Sequence, residues 1–434
     1  MSDTIINRIH ARRVWDSRGR PTVETEVTLI DGSVGRGIAP AGASRGTREA
    51  IDLRDGGAKL GGLDVQRAVS NVNGEIAGAL IGQDADDQAA IDTLLIDLDG
   101  TPNKARLGGN AILAASLAVL HASAESACEP LWQRVSGGLP VSMPLPEIQI
   151  FGGGAHAGRR VDIQDFMVMP LGAKTFAEAL EMTAEVYLAA GALMKAAGKL
   201  AGVADEGGWW PLFDANDEAL VMLTRAIEHA GFKHHEMAIS LDIAASEFGS
   251  GDDGNGGSGR GHYTLGLEKR ELDTAGMIDL LGAWLDAYPI VSIEDPLAED
   301  DEAGLIAFTR RFGHRCQIIG DDYLVTNAAR VEHAAKIRAV NSALIKLNQA
   351  GTVTETKAAL DAAKRNGMSA LISARSGETE DVSITHLAIG WNAGQLKVGS
   401  FARSERMAKW NEAVRIEEFT SAPFAGRNAL PHLR

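Results

Sequence analysis

The chain has 434 residues, of which 45% are apolar and 23% charged, with a formal net charge of −16 at pH 7. That length holds one or two domains, and that apolar share supports a large core, so a wholly disordered chain is excluded. The acidic balance disfavours nucleic acid and anionic lipid as partners and leaves only local basic pockets for small anions.

The opening MSDTIINRIHARR has no apolar h-region, and no run approaches the ~20 apolar residues of a membrane span, so a cytoplasmic protein is expected. Cys128 and Cys316 are far apart and have no ligand-spaced partners, so both are read as buried thiols. TVETEVTLI (22–30) alternates as a strand does, and the Gly-rich GRGIAPAGASRG (35–46) reads as a mobile loop. NAILAASLAVLHASA (110–124) suits a largely buried helix. An N-terminal α+β domain is expected over 1–136, with the proline-bearing GGLPVSMPLP (137–146) as the junction to a second domain over 137–434.

From there one theme repeats: a short apolar run, a polar residue at its end, then a helical stretch. The runs are FMVMPL (166–171), MAISLDIA (237–244), PIVSIEDPL (289–297), QIIGDDYL (317–324), SALIKLNQ (342–349), SALISARSG (369–377) and QLKVGSF (395–401). Between them Asn216 is a candidate helix cap, and Gly231 and Gly367 are candidate left-handed stops. Near-continuous apolar strands alternating with helices predict an α/β fold, a closed (β/α)8 TIM-type barrel. The stretch GSGDDGNGGSGRG (249–261) fits neither a P-loop nor a dinucleotide fingerprint and is expected to be a flexible surface loop.

Strand ends of such a barrel surround one mouth, which gathers Asp242, Glu294, Asp321, Lys346, Arg375 and Lys397, with Asp165 and Glu206 as further candidates. Three carboxylates on successive runs repel one another unless a cation lies between them, and oxygen-only ligands favour Mg2+ over zinc. The competing reading makes each acid a helix cap or a lysine partner; it suits one acid better than three at successive strand ends. Lys346 is the candidate base, its pKa expected to fall beside Mg2+ and another ammonium, and Lys397 is the cation that stabilises developing negative charge. As single residues, either lysine could equally be a rim salt bridge. Together the set suits removal of a proton next to a carboxylate.

Several motifs now coincide: DSRGRPTVE (16–24), HAG (156–158), DEGG (205–208), SIEDPLAEDD (292–301), GDDYLVTN (320–327), LIKLNQAGTVTE (344–355), RSGETED (375–381) and ARSERMAKWN (402–411). With them the chain resembles the enolase family over almost its whole length. The resemblance implies a modified (β/α)8 TIM-type barrel, a homodimer, with higher homo-oligomers open, and two Mg2+ ions, one held by Asp242, Glu294 and Asp321 and the other by Ser44 in the mobile loop. It also implies a small phosphorylated substrate: Lys346 takes the C2 proton of 2-phosphoglycerate, Glu206 assists departure of the C3 hydroxyl and Lys397 holds the carboxylate. Arg375 and Ser376 match the phosphate grip, with His156 and Gln164 at the pocket.

The chain departs from the family pattern at Ala374 where a histidine is usual, Asp165 for glutamate, Ala41 for serine, Arg45 for threonine, Gly152 for asparagine and WWP (209–211) for FAP. Shorter side chains and an added guanidinium suggest an enlarged, more anionic substrate, with Arg45, Asp165 and Ala374 facing it. The expectation is therefore a diverged Mg2+-dependent lyase resembling carboxyphosphonoenolpyruvate synthase of phosphonate antibiotic pathways. The alternatives are a glycolytic enolase and a non-catalytic protein on the same scaffold.

Overall fold

The structure, a computed structural model, describes residues 3–43, 46–252 and 258–433. β1 (Ile6–Trp15), β2 (Pro21–Leu29) and β3 (Val34–Ile38) form an antiparallel meander with Arg13 opposite Val23 and Val27 opposite Gly35. One face, carrying Ile9, Ala11, Val23 and Val27, is buried under the helix Gly109–Ser126. That helix approaches closely because β3 offers glycine. A Cβ on Gly37 would lie 2.5 Å from Leu117 Cβ and 2.7 Å from Ala114 O. The alanine-rich stretch is thus a buried helix, as its composition predicted.

After the helix Leu131–Ser136, eight strands close into a barrel. They are β4 (Leu145–Gly152), β5 (Asp165–Met169), then β8 (Ala238–Asp242), which follows the hairpin β6 (Leu200–Val203) and β7 (Trp209–Pro211). A second antiparallel set, β9 (Gly249–Asp252), β10 (Ser258–Leu265) and β11 (Arg270–Asp273), precedes β12 (Ile290–Glu294), β13 (Gln317–Gly320), β14 (Ser342–Ile345), β15 (Ser369–Ser373) and β16 (Gly394–Gly399). The barrel order is β4, β5, β8, β12, β13, β14, β15, β16 and back to β4. β5 runs antiparallel to both neighbours and the other pairings are parallel, which is the modification of the (β/α)8 plan.

Seven of these strands coincide with the seven apolar runs. The eighth, β4, was missed: its start was read as part of the junction. The 249–261 stretch is also corrected, since its described ends are strands β9 and β10, with 253–257 outside the described residues. Asn216 does not cap its helix. It begins it, and its side chain binds Asp162 and Glu268 instead. Gly231 and Gly367 do take positive φ at their helix ends. Cys316 is buried as expected, but Cys128 is exposed, because it sits in the turn after a helix end and not on its buried face. Among the described residues, no helix is long and apolar enough to cross a membrane.

Candidate active site

Strand register brings the candidate residues together. Asp242 closes β8 and stands opposite Glu294, which closes β12. Asp321 follows the last residue of β13 and Lys346 the last residue of β14. Lys397 lies in β16 opposite Ser373. The reversed direction of β5 explains why Asp165 reaches the same mouth from the start of a strand, opposite Asp242.

Lys397 Nζ donates to Glu294 Oε2 at 2.6 Å and to Asp242 Oδ2 at 3.0 Å, and lies 3.7 Å from Asp165. Gln164 Nε2 donates to the same Asp242 oxygen at 3.1 Å. Lys346 pairs with Asp321. Gln349 Nε2 donates to the other Asp321 oxygen at 2.8 Å. Arg375 Nη1 donates to Glu49 Oε2 and Asn348 Oδ1, both at 3.0 Å. Ser376 Oγ accepts from Arg18, and Arg406 fixes the backbone beneath by donating to the carbonyls of Arg375 and Ser376. His156 Nε2 sits between Glu206 at 3.8 Å and Asp165 at 3.9 Å. Asp242, Lys346, Lys397, Arg375, His156 and Glu206 border one cavity of about 20 Å3, with Ala374 in its wall. Ser44 and Arg45, expected at the metal and the substrate, lie outside the described residues.

Burial and crowding set the charges. Glu294 is pushed well above the usual carboxylate range by burial and by Asp242, against the pull of Lys397. Asp321 is held below its usual value: burial raises it, but Lys346 and then Arg375 outweigh that. Lys397 is held well above the usual lysine value, since Asp242 and Glu294 outweigh its burial. Lys346 is raised as well among these side chains, whereas the lowered value was expected for a lysine beside Mg2+. Burial lowers it most, with Arg375 and Lys397 adding to that, yet the attraction of the paired Asp321 together with Glu294 prevails. Asp165 is lifted by burial to about 6, with His156 opposing and Glu206 reinforcing.

Two of the departures from the family pattern, Gly152 and Asp165, are closely packed. Gln149 turns in to bond Asp165, and a Cβ on Gly152 would meet Ala204 Cβ at 2.6 Å. The cavity is close to the smallest that holds a single water. Trp209 lies away from it, stacked on Tyr187 with centroids 4.5 Å apart.

Among the described residues, two groups bring ligand atoms within 4.8 Å of one another: His156, Asp165 and Glu206, and Asp295, Asp321 and Asp322. The Asp242, Glu294 and Asp321 set is looser, because Lys397 gathers the first two and Lys346 draws the third aside. It nonetheless suits a hard cation. Glu294 Oε1 is buried with no hydrogen-bond partner, and an unpartnered carboxyl oxygen close enough to feel the charges of Asp242 and Asp321 is a ligand of the hard kind Mg2+ takes. Glu49, Gln149, Asn348 and Gln349 were not singled out beforehand. For the last two, their place just after Lys346 in the LIKLNQ run was the available signal.

The sequence matches the family described as "Enolase, N-terminal domain" over residues 6–135 and "Enolase, C-terminal TIM barrel domain" over residues 140–432. It is 49% identical to "Enolase 1" of Desulfitobacterium hafniense (strain Y51), a match covering 95% of this chain and 93% of the relative. Neither match supports the carboxyphosphonoenolpyruvate synthase reading. With its closed eight-strand barrel and the acids and lysines at its mouth, the chain belongs to the enolase family and is a lyase of the enolase superfamily.

Proposed function

We propose that this enzyme dehydrates 2-phosphoglycerate to phosphoenolpyruvate, the glycolytic enolase reaction. The observation that carries the reading is the placement of Lys346 and Lys397 against Asp242, Glu294 and Asp321, with Arg375 lining the same cavity as the two lysines. The 49% identity to a protein named Enolase 1 supports it. The enlarged-phosphonate reading drew on Ala374, Asp165 and Arg45; the first two line the same cavity as the lysines, Arg45 lies outside the described residues, and the similarity to Enolase 1 favours the glycolytic reaction.

Asp242, Glu294 and Asp321 are the proposed ligands of one Mg2+, with Ser44 proposed for a second. Bound there, Mg2+ supplies positive charge that stabilises the anionic substrate and the enolate. Lys346 Nζ accepts the C2 proton once its pair with Asp321 is released, and the charges of Lys397 and Arg375 already oppose its protonation. Lys397 faces the carboxylate, where negative charge grows as the C2–H bond breaks. Arg375 and Ser376 hold the phosphate; the planar guanidinium suits that role. Glu206, beside His156, assists the C3 hydroxyl to leave as water. Gln164 and Asp165 shape the pocket floor. The functional unit is proposed to be a homodimer.

The test is steady-state turnover of 2-phosphoglycerate by purified protein with Mg2+, followed through the ultraviolet absorbance of the enolpyruvate. Turnover of about 1–10³ s⁻¹, abolished by chelation, is expected. Rates lower by orders of magnitude with Mg2+ binding intact would return the substrate question to phosphonates.

A further inference from the structure

Two successive β-branched residues, Val325 and Thr326, have φ of +45° and +50°, a region such side chains avoid. Both are buried. The turn touches the segment that follows Ser44 and Arg45, since a Cβ on Gly46 would lie 2.7 Å from Val325 Cγ1. Strain of this kind persists where the surroundings hold it, and here Thr326 is held by Lys346 and Gln349.

Thr326 Oγ1 accepts from the backbone N–H of Lys346 at 2.9 Å and lies 2.6 Å from Gln349 Oε1. A backbone N–H can only donate, so the hydroxyl proton is directed to Gln349. That fixes the amide orientation and turns its NH2 toward two carboxylates, Asp321 Oδ1 at 2.8 Å and Glu49 Oε1 at 3.2 Å. Glu49 in turn holds Arg375. One hydroxyl thus sets the strand end that bears the proposed base and the amide that aims a proposed Mg2+ ligand.

We propose that Thr326 is a positioning residue for both Lys346 and Asp321, acting through its hydroxyl; this rests on the reading of the site given above. The test compares Thr326→Val, which keeps the branched shape and loses the hydroxyl, with Thr326→Ser, which keeps the hydroxyl. For Thr326→Val, kcat is expected to fall about 10–100-fold with KM for 2-phosphoglycerate within about 3-fold, and Mg2+ affinity by calorimetry to weaken about 10-fold. The kinetic isotope effect with C2-deuterated substrate is expected to rise, because a misplaced lysine slows proton abstraction selectively. Thr326→Ser is expected to restore all three. Unchanged kcat, isotope effect and Mg2+ affinity in Thr326→Val would overturn the inference, as would equal impairment in Thr326→Ser. If Thr326→Val does not fold, Gln349→Leu must reproduce the signature or the inference falls. A wild type that fails to turn over 2-phosphoglycerate defeats the proposed function instead, and Mg2+ affinity alone then decides the role of Thr326.

Discussion

The seam under the N-terminal sheet and the mouth of the barrel are both buried, yet they are built in opposite ways. At the seam, side chains shrink until backbones meet: Gly35 and Gly37 face Ala114, Ala118 and Ala122, and dispersion and apolar burial do the holding. At the mouth, Asp242, Glu294, Asp321, Lys346, Arg375 and Lys397 are charged and nearly inaccessible, and Asp295, Val325 and Thr326 take positive φ. Buried ion pairs of this sort add little net stability over apolar packing. The difference teaches that the seam supplies stability, while the mouth places charge where a reaction needs it.

If that contrast holds, changes at the mouth act first on turnover and changes at the seam act first on unfolding. The largest effect is expected for Lys346→Ala: kcat falls by about 10²–10⁴, measured on protein that retains its native circular dichroism. A drop of less than about tenfold would remove Lys346 from the role of base. Next comes Gly37→Val, whose added atoms meet Leu117 and the Ala114 carbonyl. About 3 kcal/mol of destabilisation or more is expected in urea unfolding, with kcat of the folded protein unchanged. A cost under about 1 kcal/mol would mean that the seam is looser than described.

A smaller, pH-dependent effect sharpens the comparison. His121 lies on the seam helix, 2.7 Å from Ser383 Oγ, and burial lowers its pKa, with His386 adding to the shift and Asp381 opposing it. The unfolded chain therefore takes up the proton first, so the stability present above the ordinary histidine value of about 6.5 is lost as pH falls below it. His121→Gln should flatten that decline between about pH 6.5 and 5, as read by urea midpoints; an identical slope would contradict the assignment. The smallest effect concerns the thiols. A thiol reagent should label exposed Cys128 in the native protein and leave Cys316 unreacted, since burial both covers that thiol and pushes its pKa up. Labelling of Cys316 without denaturant would show that the barrel wall opens.

Much of the mouth was legible in the sequence because the geometry of a barrel makes local patterns global. A polar residue ending an apolar run, as Asp242, Glu294 and Lys346 do, has one place to point. β4 was harder to read because its start lies in the proline-bearing stretch and because Glu147 and Gln149, buried on either side of Ile148, break the near-continuous apolar run that marks the other strands. Glu49 carried no signal, since it meets Gln349 across 300 residues and Arg375 across 326. Asn216 looked like a cap, but Asp162 and Glu268 compete for its amide and win. Ala374 misled in the other direction. The loss of an imidazole suggested a larger substrate, a reading that neither the family match nor the relative supports.

The central claim is that Lys346 removes the C2 proton of 2-phosphoglycerate, and isotope exchange tests it most directly. Protein and 2-phosphoglycerate are incubated in D2O with Mg2+, and deuterium at C2 of the unreacted substrate is measured. The account predicts incorporation with the wild type and none with Lys346→Ala. Equal incorporation by the two proteins, or neither exchange nor turnover by the wild type, would contradict it.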